Sequence, residues 1–105
     1  MKRIECIIPN QKFHQLEKSL RHWGVSGMTV TEVKGYGNEQ TRPEPYLFIP
    51  KTKIEMFCKD DEIDEIVGLI RKTCASGQLG DGKIVVSEIE DLVRIRTGER
   101  GEVAV

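Results

Sequence analysis

Residues 2–23, KRIECIIPNQKFHQLEKSLRHW, change hydrophobic period in mid-stretch, and that change decides the fold. Over 2–8 the apolar positions alternate. Ile4, Cys6 and Ile8 fall on one face, Arg3, Glu5 and Ile7 on the other, which is the signature of a strand. Pro9-Asn10 stops it. Phe13, Leu16, Leu20 and Trp23 then recur at three- and four-residue steps. They form one apolar stripe on a helix that ends before Gly24.

The same pair of periods returns further along. Gly27 opens a second strand in MTVTEVKGY (28–36), rich in threonine and valine. A third strand runs from about Lys51 to Cys58, with Ile54, Met56 and Cys58 on one face. Asp60 and Asp61 place favourable charge at the start of a second helix. Its stripe is Ile63, Ile66, Val67, Ile70 and Cys74, and Gly77 ends it. A glycine-rich turn leads to a fourth strand, Ile84–Ile89, followed by LVRIRT (92–97) and a polar tail, GERGEVAV (98–105). The order β-α-β-β-α-β predicts an α+β, ferredoxin-like sandwich, an antiparallel sheet with both helices on one face. Ile7, Met28, Val30, Val33, Phe57, Val85 and Val86 put apolar groups on both faces of several strands. Self-association is the economical way to cover the second face.

One stretch keeps no period. Residues 37–50, GNEQTRPEPYLFIP, hold three prolines. Proline donates no backbone hydrogen bond, which argues against a central strand here. An extended loop of this length in so small a domain is more often functional than idle.

The totals narrow the class. A chain of 105 residues makes one domain, 1–105. With 38% hydrophobic and 31% charged residues, a packed core is expected and disorder is not. A formal net charge of -1 argues against a nucleic-acid binder. No apolar run approaches the roughly 20 residues needed to span a bilayer, so no direct membrane insertion is expected. The N-terminus reads as a strand and not as a signal peptide. Three cysteines with no CxxC pair argue against a disulfide framework and for a reducing, cytoplasmic setting. All three fall at apolar-face positions, as small buried hydrophobes do.

The chemistry concentrates between 76 and 96. Gly77-Gln78-Leu79-Gly80-Asp81-Gly82-Lys83 fits the pattern G-x-x-x-x-G-K of a P-loop. Two facts reject a P-loop: Ile84 stands where Ser or Thr would hold magnesium, and the order is helix, turn, strand instead of strand, turn, helix. The physics of such a turn remains. Gly80 and Gly82 let the backbone approach a ligand, and successive amides form an anion nest beside the point charge of Lys83. Taken alone, the segment reads more readily as a plain turn between helix and strand. Arg94 and Arg96, two apart in a segment read as extended, are expected to point to one side and to clamp phosphate oxygens. Pairing with Glu88, Glu90 or Glu99 is the alternative. Together with the glycine-lysine nest, a polyphosphate site explains them better.

At these residues the sequence resembles the PII signal-transduction family. Gly-x-x-Gly-Asp-Gly-Lys-Ile followed by Val-Arg-Ile-Arg-Thr-Gly-Glu looks like the two signature stretches of that family. Gly27–Gly37 resembles its second strand, and Pro50-Lys51-x-Lys53-Ile54-Glu55 its entry into the third. The likeness covers nearly the whole chain except 38–49. It implies a homotrimer with an adenine nucleotide, ATP or ADP with AMP a further candidate, between subunits. It implies phosphate contacts from a loop at 76–83 (Gly80, Asp81, Gly82 and Lys83) and from Arg94 and Arg96 of the neighbouring subunit, in the C-terminal segment 92–105. Matching positions for the adenosine end and the loop base are Ile7, Met28, Thr29, Gly35, Gly37, Glu55 and Phe57. The loop at about 37–50 matches the family's T-loop, which engages a partner, here a membrane transporter or a metabolic enzyme of nitrogen or inorganic-carbon metabolism. Arg42, Tyr46 and Phe48 are candidate partner contacts.

Departures are also expected. The loop is about seven residues shorter than in typical members and lacks the segment bearing the modified tyrosine. Glu39 replaces a glutamine that helps bind magnesium and 2-oxoglutarate in the family. It favours a cation but repels a dicarboxylate; magnesium is left open. Lys51, which helps hold 2-oxoglutarate in the family, is retained. His14 and His22, eight apart on a helix, stand about 12 Å apart along the axis, too far for one metal. No nucleophile-base pair is present, so no catalytic residue is assigned. A structural or divalent-metal-binding trimer resembling the cation-tolerance family is the alternative function, and a slow nucleotide hydrolase a third.

Overall fold

A computed structural model describes residues 1–37 and 47–105. Among them the strands are β1 (Lys2–Pro9), β2 (Thr29–Gly35), β3 (Ile49–Cys58) and β4 (Lys83–Glu88), and the helices are α1 (Asn10–Trp23) and α2 (Ile63–Cys74). One antiparallel sheet has the order β2-β3-β1-β4. This is the expected ferredoxin-like arrangement, with β1 and β3 central.

The period-two faces separate as read. Ile4, Cys6 and Ile8 of β1 and Ile54, Met56 and Cys58 of β3 are buried against Leu16 and Leu20 of α1 and Ile63, Ile66, Ile70 and Cys74 of α2. Phe13, Trp23 and Met28 pack at the margin of this cluster. Trp23 donates its indole N–H to Glu65 at 2.9 Å, which pins the end of α1 to the start of α2. Gly24, in the left-handed conformation, ends α1 by returning its N–H to the Leu20 carbonyl. His14 and His22 are exposed.

The other sheet face carries Ile7, Val33, Phe57 and Val85 together with charged groups. Arg3 joins Glu5 at 3.2 Å and Glu55 at 2.9 Å, and Lys53 joins Glu5 at 3.3 Å. Ile7, Phe57 and Val85 stay partly exposed. Val30 and Val86 pair with Ile54 and Ile4, so they belong to the helix-covered face, at the sheet's outer strands.

Several boundaries differ from the sequence reading. β3 begins at Ile49 and includes Pro50, which pairs with Lys34. The pairing of β3 with β1 ends at Lys51, so at Pro50 the strand has a neighbour on one side only, and a residue without an N–H is tolerated there. Asp60 and Asp61 lie in a 3-10 turn, Asp60–Glu62, whose start is closed by the Glu62 carboxylate accepting from the Lys59 N–H at 2.8 Å. α2 ends at Cys74, and Gly77 falls in the following turn with φ of 81°. β4 runs one residue earlier than read, from Lys83 to Glu88.

Burial pushes the Cys6 thiol up to about 12 and the Cys58 thiol up to about 11. A raised folded-state value means that the thiol helps stability below its ordinary range, and that this help is lost as pH climbs from about 9 toward the folded values. Stability measured by urea unfolding should therefore fall from about pH 9 upward. A Cys6→Ala variant should show a shallower alkaline decline.

Candidate functional site

The segment between α2 and β4 is held by one carboxylate. Asp81 accepts hydrogen bonds from the Ser76 N–H at 2.7 Å, the Gly77 N–H at 3.0 Å and the Ser76 hydroxyl. The hydroxyl bond, with the two amides, holds the Asp81 carboxyl below its usual range, so it is ionised at neutral pH. Its charge is spent inside the loop. Asp81 therefore shapes the turn.

The loop then meets β1 with no space to spare. A Cβ built on Gly82 would lie 1.9 Å from the Ile7 carbonyl oxygen, and φ at Gly82 is +107°. Only glycine fits both conditions. Directly beyond it, Lys83 enters β4 opposite Ile7. The Lys83 side chain has no hydrogen-bond or ion-pair partner among the described residues.

A cleft of about 490 Å³ opens here, lined by Ile7, Gly35, Tyr36, Gly37, Lys51 and the run Gln78–Lys83. That size is ordinary for a small-molecule site. From the opposite wall, Lys51 donates to the Gly80 carbonyl at 3.3 Å, tying the start of β3 to the glycine turn. Tyr36 packs edge-on against Phe48, with ring centroids 5.1 Å apart. The contact joins the end of β2 to the start of β3 at the mouth of the 37–50 segment. Phe48 is thus engaged within the chain.

Of the residues singled out from sequence, the fold brings Ile7, Gly35, Gly37, Lys51, Gly80, Asp81, Gly82 and Lys83 to one cleft. Thr29 lies six positions from Gly35 along β2, about 20 Å in an extended strand. It pairs with Glu55, whose carboxylate is held by Arg3. Phe57 lies on the open sheet face beyond Glu55, and Met28 packs at the core margin. Glu39, Arg42 and Tyr46 fall outside the described residues. Tyr36, Gln78 and Leu79 line the cleft and were not singled out. An exposed leucine in a turn of glycines was the available signal for the last of these.

The backbone at Arg94 and Arg96 corrects the sequence reading. Their segment is not extended: residues 95–97 form a turn, with the Gly98 N–H returned to the Arg94 carbonyl at 2.7 Å. Arg94 is bound to Glu99 at 2.7 Å and to the Val103 carbonyl at 3.1 Å. Arg96 is exposed and has no ion pair among the described residues. Neither lines the cleft of its own chain. Also among the described residues, no three His, Cys, Asp or Glu side chains converge on a point that a metal would occupy, and no helix is long and apolar enough to cross a membrane.

The profile of a family described as Nitrogen regulatory protein P-II matches residues 1–99. A "Nitrogen regulatory protein P-II" of Mesorhizobium japonicum is 45% identical over 112 residues, covering all of both chains. One of Pasteurella multocida is 41% identical, again over the whole of both chains. "Nitrogen regulatory protein GlnK" of Escherichia coli is 40% identical, with 99% of each chain covered.

The crowding at Gly82 yields a paired expectation. Gly82→Ala should cost about 1–3 kcal/mol in urea unfolding, since the loop must leave β1 to admit a methyl group. Gly68→Ala, at an exposed helical site with nothing within 4 Å of the added carbon, should stabilise by about 1 kcal/mol. The contrast separates a crowded backbone approach from a general effect of losing glycine.

Proposed function

This chain belongs to the P-II family of nitrogen regulatory proteins, a family of signal transducers and not of enzymes, and from that premise we propose that it works as an adenine-nucleotide-responsive trimer. ATP or ADP, with AMP a further candidate, occupies the cleft between the 76–83 loop and the base of the 37–50 segment. The phosphates lie on the amides of Gly80 and Gly82 with Lys83 beside them, and a cationic group from the next subunit closes the site. The 37–50 segment is the effector loop, and it engages a transporter or enzyme of nitrogen metabolism in the cytoplasm. The names of the relatives speak of nitrogen regulation, and none supports the inorganic-carbon alternative.

The observation that carries this reading is the single cleft that unites the glycine turn, Lys83 and the residues leading into and out of the 37–50 segment. A nest of amides beside a lysine selects an anion, and a glycine surface lets a phosphate approach the backbone. Control of a partner needs the bound species to prefer one loop arrangement over another. Lys51 and Tyr36, which share walls with the phosphate nest and lead into the loop, supply that connection. Lys51 is turned to the Gly80 carbonyl, so a dicarboxylate effector would have to recruit it from that bond. The cation-tolerance reading is left without a described ligand cluster.

Native mass spectrometry of the purified protein should give a trimer that takes up three adenine nucleotides. By calorimetry, Lys83→Ala and Arg96→Ala should each weaken ADP or ATP binding by about tenfold, the effect of losing one charge-assisted contact. Unchanged affinity in both variants would remove this site assignment.

A further inference from the structure

Asp81-Gly82 is the one place in the 105 residues where an Asp or Asn precedes a glycine. That dipeptide carries a chemistry of its own. The glycine nitrogen, with no side chain beside it, can attack the γ-carbon of the preceding carboxyl group. A nitrogen–carbon bond forms, the carboxyl hydroxyl leaves as water with the amide proton, and a five-membered cyclic imide results. Water then opens the ring at either carbonyl. Opening at the main-chain carbonyl routes the backbone through the side-chain carbon, which is isoaspartate. One water leaves and one returns, so the change is an isomerisation.

Three features of the fold oppose the first step. Both carboxylate oxygens of Asp81 are turned back toward the end of α2. One accepts from the Ser76 hydroxyl, the other from the Ser76 N–H at 2.7 Å and the Gly77 N–H at 3.0 Å. These donors precede Asp81 in the chain, whereas the attacking nitrogen follows it. The Ser76 hydroxyl and the two amides also keep the carboxyl ionised, without the proton that lets its hydroxyl depart. Gly82 is seated at φ +107° under the Ile7 carbonyl, where an added carbon would lie 1.9 Å from the oxygen. Swinging its nitrogen toward the γ-carbon moves the glycine out of that seat.

We infer that Asp81-Gly82 is this chain's site of spontaneous isoaspartate formation, and that the Ser76 clamp together with the Ile7 contact holds it in an unreactive geometry. The clamp thus preserves the turn as well as shaping it. Isomerisation inserts a methylene carbon into the main chain between the two residues. The fit at Gly82 has no slack for that atom. The carboxylate left behind is one bond shorter than the one that gathers Ser76 and Gly77. The damage falls on the turn that lines the cleft.

The full-length protein, warmed at neutral pH over several weeks, tests this both folded and in denaturant. Isoaspartate is read by enzymatic methylation of the isomerised carboxylate and by chromatography of the tryptic fragment 73–83. In denaturant that fragment should accumulate isoaspartate ahead of every other. The folded chain should isomerise there at least about tenfold more slowly, a protection of the size that one charge-assisted hydrogen bond provides. Folded Ser76→Ala should isomerise about fivefold faster than the unsubstituted fold, while Ser76→Thr, which keeps the hydroxyl, should match it. Preferential isomerisation outside 73–83 in denaturant would remove the site. Equal rates in the folded and unfolded chains, or an unchanged rate in Ser76→Ala, would remove the protective role. Should Ser76→Ala fail to fold, the folded and unfolded rates of the unsubstituted chain still decide.

Discussion

The site depends on one backbone contact: the glycine turn lies on β1 so closely at Gly82 that no side-chain carbon fits beneath the Ile7 carbonyl. This contact fixes where β4 starts and places Lys83 beside Ile7. Because β1 is central, Ile7 also faces Lys53 of β3, and the next open-face position on β3 is Lys51. Three lysines from two strands thus come to one end of the sheet's open face, against the glycine turn. Asp81 supports the same arrangement from the other side, gathering the Ser76 and Gly77 amides so that the turn keeps its shape without a ligand. The core of Ile4, Cys6, Ile54 and Ile66 lies on the opposite face of the sheet. Chemistry and packing therefore use different faces of the same strands.

How much of this was legible depended on the range of the interaction. Period carries the strands and helices, since Ile4, Cys6 and Ile8 or Leu16 and Leu20 are specified by burial that repeats along the chain. The glycine turn was legible too, because positive φ and close approach leave a composition mark. Pro50 misled, since its cost depends on whether β1 still runs alongside, and that is settled by register between distant strands. Arg94 and Arg96 misled for a related reason. Their spacing predicts a shared side only if the backbone is extended. The competing 94–99 hairpin is stabilised by Glu99, Thr97 and Gly98, each of which taken singly reads as part of a polar tail. The separation of Thr29, Glu55 and Phe57 from the cleft is a fact of strand geometry that motif order cannot carry.

The open face poses a physical question that one chain does not answer. Arg3, Glu5, Lys53 and Glu55 form a connected charge network, flanked by Ile7, Phe57 and Val85, all partly exposed. Exposed ion pairs contribute little, typically about 0–1 kcal/mol. The same network withdrawn from water gains specificity from its geometry, because each charge already has its partner. Apolar groups beside self-satisfied charges suit contact with a like surface, which supports association through this face.

The link between the cleft and the base of the 37–50 segment is then a matter of comparable energies. The Tyr36–Phe48 contact is an edge-to-face pair with both rings more than half exposed, at 59% and 56%. Such a pair is worth about 0.5–1.5 kcal/mol. The Lys51 bond to the Gly80 carbonyl is, at 3.3 Å, a long one. Allosteric coupling typically amounts to about 1–3 kcal/mol. Two contacts of this size, both between the cleft wall and the base of the 37–50 segment, lie within reach of what a bound phosphate can rearrange. A deeply packed connection would cost more than a ligand could supply, and no connection would transmit nothing. Contacts this weak can be rearranged at the entrance to the 37–50 segment without disturbing the sheet that carries it.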